Sequence, residues 1–199
     1  RLSLITVDEY AQGTTPLPAY AACTDYTNLP AAQKYDALGT NNSRQIISAW
    51  ELFQNNNGPS FTTELNKLNG GATAGCVQIG NGSGTAEPCD LASQLVVNSN
   101  FTGAFRANVA KYIIIITDNL PSGTEDTFTA QTWAGIQAMI TTANVQGIKY
   151  FVCGPGVNRT GGSVTPLYPW RELATQTNGG YTANYDPSSI SAQIVAGCS

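Results

Sequence analysis

One segment of the chain has few folding options: Tyr112-Ile113-Ile114-Ile115-Ile116-Thr117-Asp118. Consecutive β-branched side chains crowd a helical turn and fit a pleated strand. A continuous apolar run without polar alternation suits a central parallel strand buried on both faces. It gives way to Asp118-Asn119-Leu120-Pro121-Ser122-Gly123, which is loop chemistry. Parallel strands need a crossover, and the next residues supply one. Residues 127–145 read as a helix with Phe128, Ile136, Met139 and Ile140 on one side, stopped by Gly147. Residues 148–153 read as a second buried strand, ending at Gly154-Pro155-Gly156. A helix at residues 170–174 follows and stops before Gly179-Gly180, and Tyr181-Thr182 begins a short strand. Asp186-Pro187 starts a last helix, with an acid at the N-cap and Pro at the first position. Its apolar face is Ile190, Ile194 and Val195.

The first half is less regular. Residues 2–7 read as a strand ending at Asp8-Glu9. A hairpin or edge strand is expected near residues 20–23, in a segment that holds Pro16 and Pro18. After Gly39-Thr40-Asn41-Asn42-Ser43, the residues Ile46, Ile47, Trp50 and Phe53 recur at helical spacing and predict a helix. Asn55-Asn56-Asn57-Gly58-Pro59 ends it. An insertion at about 56–108 follows, irregular from residue 60, with short helices expected at residues 61–68 and 90–97. It carries too few apolar residues for a core of its own, so residues 1–199 are read as a single domain. Strand, helix, strand, helix, strand, helix in that order means an α/β fold: a doubly wound, mostly parallel central sheet flanked by helices. In such folds ligands sit at the carboxyl ends of the strands, where Asp8, Thr40, Asp118 and Gly154 fall.

Composition removes several functions. The chain has no His, which excludes Ser–His–Asp and Cys–His catalysis and His-based zinc sites. Charged residues make up 11% and the net charge is −4, which opposes a nucleic-acid-binding surface. The longest apolar run, residues 113–116, is far below the roughly 20 residues of a membrane-spanning helix. These residues read without a signal-peptide pattern, and Arg1 in place of Met leads to the expectation of a processed, engineered or fragmentary chain. Few Lys and many Asn, Thr, Ser and Gly suit an extracellular protein, whether secreted, on a cell surface or in a virion. Five cysteines cannot all pair within the chain, and Cys76 and Cys89, flanking a Gly-rich loop, are the expected disulfide.

The motif order resembles a von Willebrand factor A domain. The resemblance rests on residues 2–8, on Gly39-Thr40-Asn41 before a helix, and on Ile113 to Ile116 running into Thr117-Asp118. It rests also on Gly147 through Val157, and on Leu173-Ala174 leading to Gly179-Gly180-Tyr181. It covers most of the chain outside residues 60–108. It implies the family's metal-ion-dependent adhesion site, with Thr40 and Asp118 as oxygen ligands to Mg²⁺. The family's Asp-x-Ser-x-Ser ligands are absent, and Asn119 follows Asp118 where the family often has Gly. The chain begins at what matches the family's second strand. Either it is a fragment whose first strand lies upstream, or the site is degenerate.

Plainer readings stand beside these. Thr40 is also an ordinary N-cap for a helix starting near Ser43. Asp118 at a strand end needs a partner, which a metal or loop amides would provide. Cys153 reads as a buried thiol, with no His or cation to lower its pKa. Trp50, Trp133 and Trp170 read as packing on predicted helices. The expected function is a non-enzymatic adhesion module that binds a protein or glycan at the strand carboxyl ends. The alternative is a structural component of an extracellular assembly, a virion, filament or surface layer, which uses the fold as a metal-free scaffold against neighbouring subunits.

Overall fold

The computed structural model describes residues 1–7, 30–35, 47–53, 58–68, 88–123, 127–155 and 165–183, with residues 188, 189, 191, 192 and 195. The chain divides into two compact units, Arg1–Pro88 with Asn100–Phe105, and Cys89–Ser99 with Arg106–Ser199. The expected strand or hairpin at residues 20–23 lies outside the described residues.

The first unit holds an antiparallel sheet built from β1 (Leu4–Val7), β2 (Lys34–Tyr35) and β3 (Ile47–Glu51), in the order β1–β3–β2. The helix expected from Ile46, Ile47, Trp50 and Phe53 is therefore a strand, and Trp50 lies in it. It pairs on both sides, Val7 and Tyr35 both opposing Ile47. The true period is two: Ile47, Ala49 and Glu51 are all buried. An acid on the buried face concealed that alternation. Glu51 Oε1 has no hydrogen-bond partner, while the Glu51 carbonyl accepts from Ser3 Oγ at 2.6 Å. A 3₁₀ turn, Ala31–Gln33, leads into β2, and Gln33 Nε2 donates to the Ala49 carbonyl at 3.0 Å.

Gly58-Pro59, expected to end a helix, begins one instead: α1 runs Gly58–Leu68. Proline near a helix start gives up only an N–H that has no intrahelical partner. Phe53 closes the unit. Its N–H donates to the Thr102 carbonyl at 3.2 Å, and its ring meets Phe105 at 4.9 Å. Arg1 donates to the Phe53 carbonyl and lies over its ring.

The second unit is a mixed α/β arrangement with a small parallel sheet. Its strands are β4 (Lys111–Ile116), β5 (Ile148–Cys153) and β6 (Gly180–Thr182), in the order β4–β5–β6. Helix α2 (Cys89–Ser99), from the segment read as insertion, packs against α3 (Ala130–Gln146). Helix α4 (Pro169–Gln176) packs on α3, β5 and β6. Both crossovers, β4–α3–β5 and β5–α4–β6, step the same way across the sheet. Right-handed crossovers of that kind put their helices on one face, and the contact of α3 with α4 agrees.

Local chemistry sets these boundaries. Thr129 caps α3 by accepting from the Thr132 N–H at 3.1 Å, and the Thr132 hydroxyl returns to Thr129. The cap moves the helix start to Ala130, three residues past the expected one. The helix closes on Gly147 at φ 68°, whose N–H reaches the Ala143 and Asn144 carbonyls. Pro169 opens α4. Residues Ile136, Met139, Ile140 and Ala143 of α3 are buried, each large one worth roughly 1.5–3 kcal/mol in apolar area.

Strand β4 departs from expectation. Ile115 is buried, but Ile114 and Ile116 are 48% and 69% exposed. The run is thus not covered on both faces. Among the described residues β4 is outermost in its sheet. Strand β5, central in the order, is buried at Ile148 and from Tyr150 to Cys153. Residues 188, 189, 191, 192 and 195 are helical, in the expected last helix.

Candidate functional site

The carboxyl end of the parallel sheet is the place to look, because strand ends point loops, not side-chain layers, outward. Three segments meet there. Thr117 N–H donates to the Cys153 carbonyl at 3.0 Å, and Gly154 N–H donates to the Thr182 carbonyl at 3.2 Å. Tyr181 Oη donates to the Gly154 carbonyl at 3.2 Å. The two backbone bonds continue the strand ladders past their last paired residues, and the tyrosine adds a side-chain tie.

The loop after β4 is held at several points. Thr117 Oγ1 accepts from the Asn119 N–H at 3.1 Å. Asn119 Oδ1 accepts from the Leu120 N–H at 2.9 Å. The Asn119 carbonyl accepts from Trp170 Nε1 of α4 at 2.8 Å. Asn119, standing where the resembled family often has Gly, thus uses both its side chain and its backbone to fold the loop. Leu120, Pro121 and Ser122 are buried. The far end of the loop is fixed by Asp90, in the first turn of α2. Its Oδ1 accepts from the Gly123 N–H at 3.1 Å, and the N–H groups of Ser122, Asp90 and Leu91 also bond the carboxylate. Gly123 takes φ +61°, a left-handed conformation that glycine adopts without cost.

Within residues 117–123 only Asp118 is exposed. The loop turns its apolar residues inward and leaves one carboxylate facing out, on a backbone tied to β5, α2 and α4. Sequence reasoning placed Asp118 at a strand end, and it is there. Thr40 and Asp8 lie outside the described residues, so the second expected ligand cannot be set beside Asp118. Among the described residues no three of His, Cys, Asp and Glu are grouped so as to hold a metal ion. Asp118 alone does not fit a magnesium centre, which draws on more oxygen donors than one carboxylate.

Asp90 is 1% exposed, and burial pushes its carboxyl above the ordinary aspartate value of 3.8, against the pull of the four backbone N–H bonds. Tyr150 is fully buried on β5, and burial pushes its phenol up as well. Its hydroxyl has no partner at hydrogen-bond geometry, and the Ser93 side chain only moderates the shift. Cys153 is 1% exposed, in keeping with a buried thiol. Cys89 is half-buried, and Cys76 lies outside the described residues, as do Glu125 and Asp126.

Three anchors carried no local signal. Asp90 reads as an ordinary acid at a helix start. Its partner lies 33 residues later. The reach of Trp170 to Asn119 spans 51 residues. Thr177 bridges α4 to β5, accepting from the Tyr150 N–H at 3.1 Å and donating to the Leu173 carbonyl at 2.8 Å.

Comparison with protein-family models, with curated proteins and with solved structures gives no match. Among the described residues no helix is long and apolar enough to cross a membrane.

Proposed function

We propose that the chain is a non-enzymatic, extracellular binding module of the von Willebrand factor A type. It takes a protein or glycan ligand at the carboxyl end of its parallel strands. The observation that carries this reading is the exposed carboxylate of Asp118 on a loop otherwise buried or half-buried and held by hydrogen bonds. A fixed charge costs little ordering on binding, and preorganised contacts contribute most to affinity. The absence of His and the parallel β–α–β–α–β order support the same reading. In its magnesium-dependent form, Thr40 and Asp118 would both hold the ion, and the missing Asp-x-Ser-x-Ser ligands would come from outside this chain.

The test is binding to a panel of immobilised glycans and extracellular-matrix proteins, with and without Mg²⁺. The proposal expects a ligand whose capture is lost in Asp118→Ala. Dependence on Mg²⁺ selects the metal form. Capture that survives both Asp118→Ala and chelation refutes it.

A second reading, the metal-free assembly scaffold, is favoured by the exposure of Ile114 and Ile116, which neighbouring copies would cover. Sedimentation at rising concentration tests it. Self-association abolished by Ile116→Lys supports it, and a monomer at all concentrations removes it.

A further inference from the structure

The loop that presents Asp118 is held at its far end by a carboxylate buried where no solvent can screen it. Asp90 Oδ1 bonds the Gly123 N–H, and three more backbone N–H groups converge on the same carboxylate. Two of them, from Asp90 and Leu91, belong to the first turn of α2, where an anion is favoured. The other two, from Ser122 and Gly123, belong to the loop. Gly123 is also close to α3: a Cβ there would lie 3.8 Å from Thr132 Oγ1 and 3.9 Å from Asp90 Oδ2. One side chain therefore couples the start of α2 to the loop.

We propose that Asp90 is the positioning residue of this loop, and that gain and loss of its proton sets how firmly the loop, and with it Asp118, is held. The part concerning Asp118 rests on the binding reading above. The coupling of Asp90 to Gly123 does not.

The chemistry follows from the donor count. An ionised carboxylate accepts all four N–H groups, and charge-assisted bonds are about twice as strong as neutral ones. A protonated carboxyl has one oxygen committed to its own O–H and accepts more weakly. The Gly123 hydrogen bond itself thus weakens as the proton arrives, while the cost of the buried charge is relieved, so the bond and the overall stability respond to pH in opposite senses. Among the described residues few other ionisable groups face the site. On α2 the one other is Cys89, and α3 has none. From the loop there is Asp118, which points outward, and from β5 there is Tyr150, whose raised phenol stays neutral. Glu125 and Asp126, outside the described residues, follow Gly123 closely in sequence, so the transition assigned to Asp90 is the one that Asp90→Asn abolishes.

The test follows the backbone amide of Gly123 by two-dimensional NMR in the intact chain, titrated from acid to neutral pH. The proposal expects one transition, centred above 3.8, with the Gly123 proton moving downfield as pH rises. Asp90→Asn keeps an oxygen acceptor but cannot titrate. It should fold, keep Gly123 protected from exchange, and lose the transition. Asp90→Ala should make Gly123 exchange at least about tenfold faster, with α3 amides such as Met139 unchanged. A merely structural role would not produce a transition that Asn abolishes while preserving protection. The same titration in Asp118→Asn should keep the transition, so failure of the binding reading leaves this result standing. A flat Gly123 amide, a transition that persists in Asp90→Asn, or Gly123 exchange unchanged in Asp90→Ala overturns the proposal. Failure of Asp90→Ala to fold shifts the decision to Asp90→Asn alone.

Discussion

The Trp170 indole N–H donates to the Asn119 carbonyl at 2.8 Å, joining the first turn of α4 to the loop that leaves β4. The indole is 1% exposed, so the bond is made away from water. It ties two segments of the strand-end surface that the chain separates by 51 residues.

Trp170→Phe keeps much of the ring and removes the donor. The Asn119 carbonyl then lacks this partner, at a cost of about 1–3 kcal/mol in addition to any cavity left by the smaller ring. Urea unfolding checks the magnitude. A midpoint unchanged from wild type contradicts the role given to this bond.

Thr177 makes a second tie of this kind. Its hydroxyl accepts from the Tyr150 N–H and donates to the Leu173 carbonyl, standing in for a strand partner that β6 does not supply at Tyr150. Thr177→Val should cost about 1–3 kcal/mol, because it buries an N–H without a partner. Thr177→Ser keeps the hydroxyl and should recover most of that loss in the same unfolding measurement.

Gly179 is fixed by a close approach. A Cβ placed there would fall on the Tyr150 carbonyl, which is backbone and cannot rotate away. Gly179→Ala should destabilise by at least the roughly 1–3 kcal/mol typical of overpacking, a sizeable fraction of the about 5–15 kcal/mol that holds a domain folded. At Gly58 a Cβ meets nothing within 4 Å, and Gly58→Ala should leave thermal stability unchanged or raise it slightly. Equal effects at the two sites would contradict the packing described.

Stability should depend on pH with an unusual sign in acid. The folded pKa of Asp90 is raised above the ordinary 3.8, so the folded chain binds this proton more tightly than the unfolded chain does. The contribution is fully present below about 3.8 and is lost as pH rises through the raised folded value. Tyr150 acts likewise at the alkaline end: its contribution holds up to about 10, where the unfolded phenol ionises, and is lost above it. Denaturant midpoints across the acid range should fall more steeply with pH in the wild type than in Asp90→Asn. Parallel profiles for the two proteins contradict the assignment.

The parallel strands and their helices were legible because each carries its own local signal. Residues 150–153 are apolar without alternation and lie in the middle strand of their sheet, where such a run belongs. Gly147 marks the end of α3 by cap chemistry that needs no tertiary contact, whereas the cap of Thr129 and Thr132 sets its start three residues past the one that apolar spacing gave. Ile47 to Glu51 misled because Ile46, Ile47, Trp50 and Phe53 fit helical spacing. The two-residue period of Ile47, Ala49 and Glu51 ends in an acid that sequence logic places on a surface. The isoleucines of β4 misled for another reason. Composition shows that a strand is apolar, but not where it falls in the sheet order. At the candidate site Asp118 was readable as the end of a strand. The residues that hold it, Asp90, Gly123 and Trp170, were not, because each acts through a backbone group distant in sequence.

The central claim is that Asp118 is the contact of a binding surface, and the most direct measurement compares wild type with Asp118→Asn. That change removes one charge from an exposed position and keeps the shape of the side chain. Affinity is measured for the strongest binder from the glycan and matrix-protein panel, alongside the melting temperature of each protein. The account predicts binding at least about tenfold weaker in Asp118→Asn, as for loss of one partner of a charged contact, with the melting temperature unchanged. Equal affinity for the two proteins would contradict it.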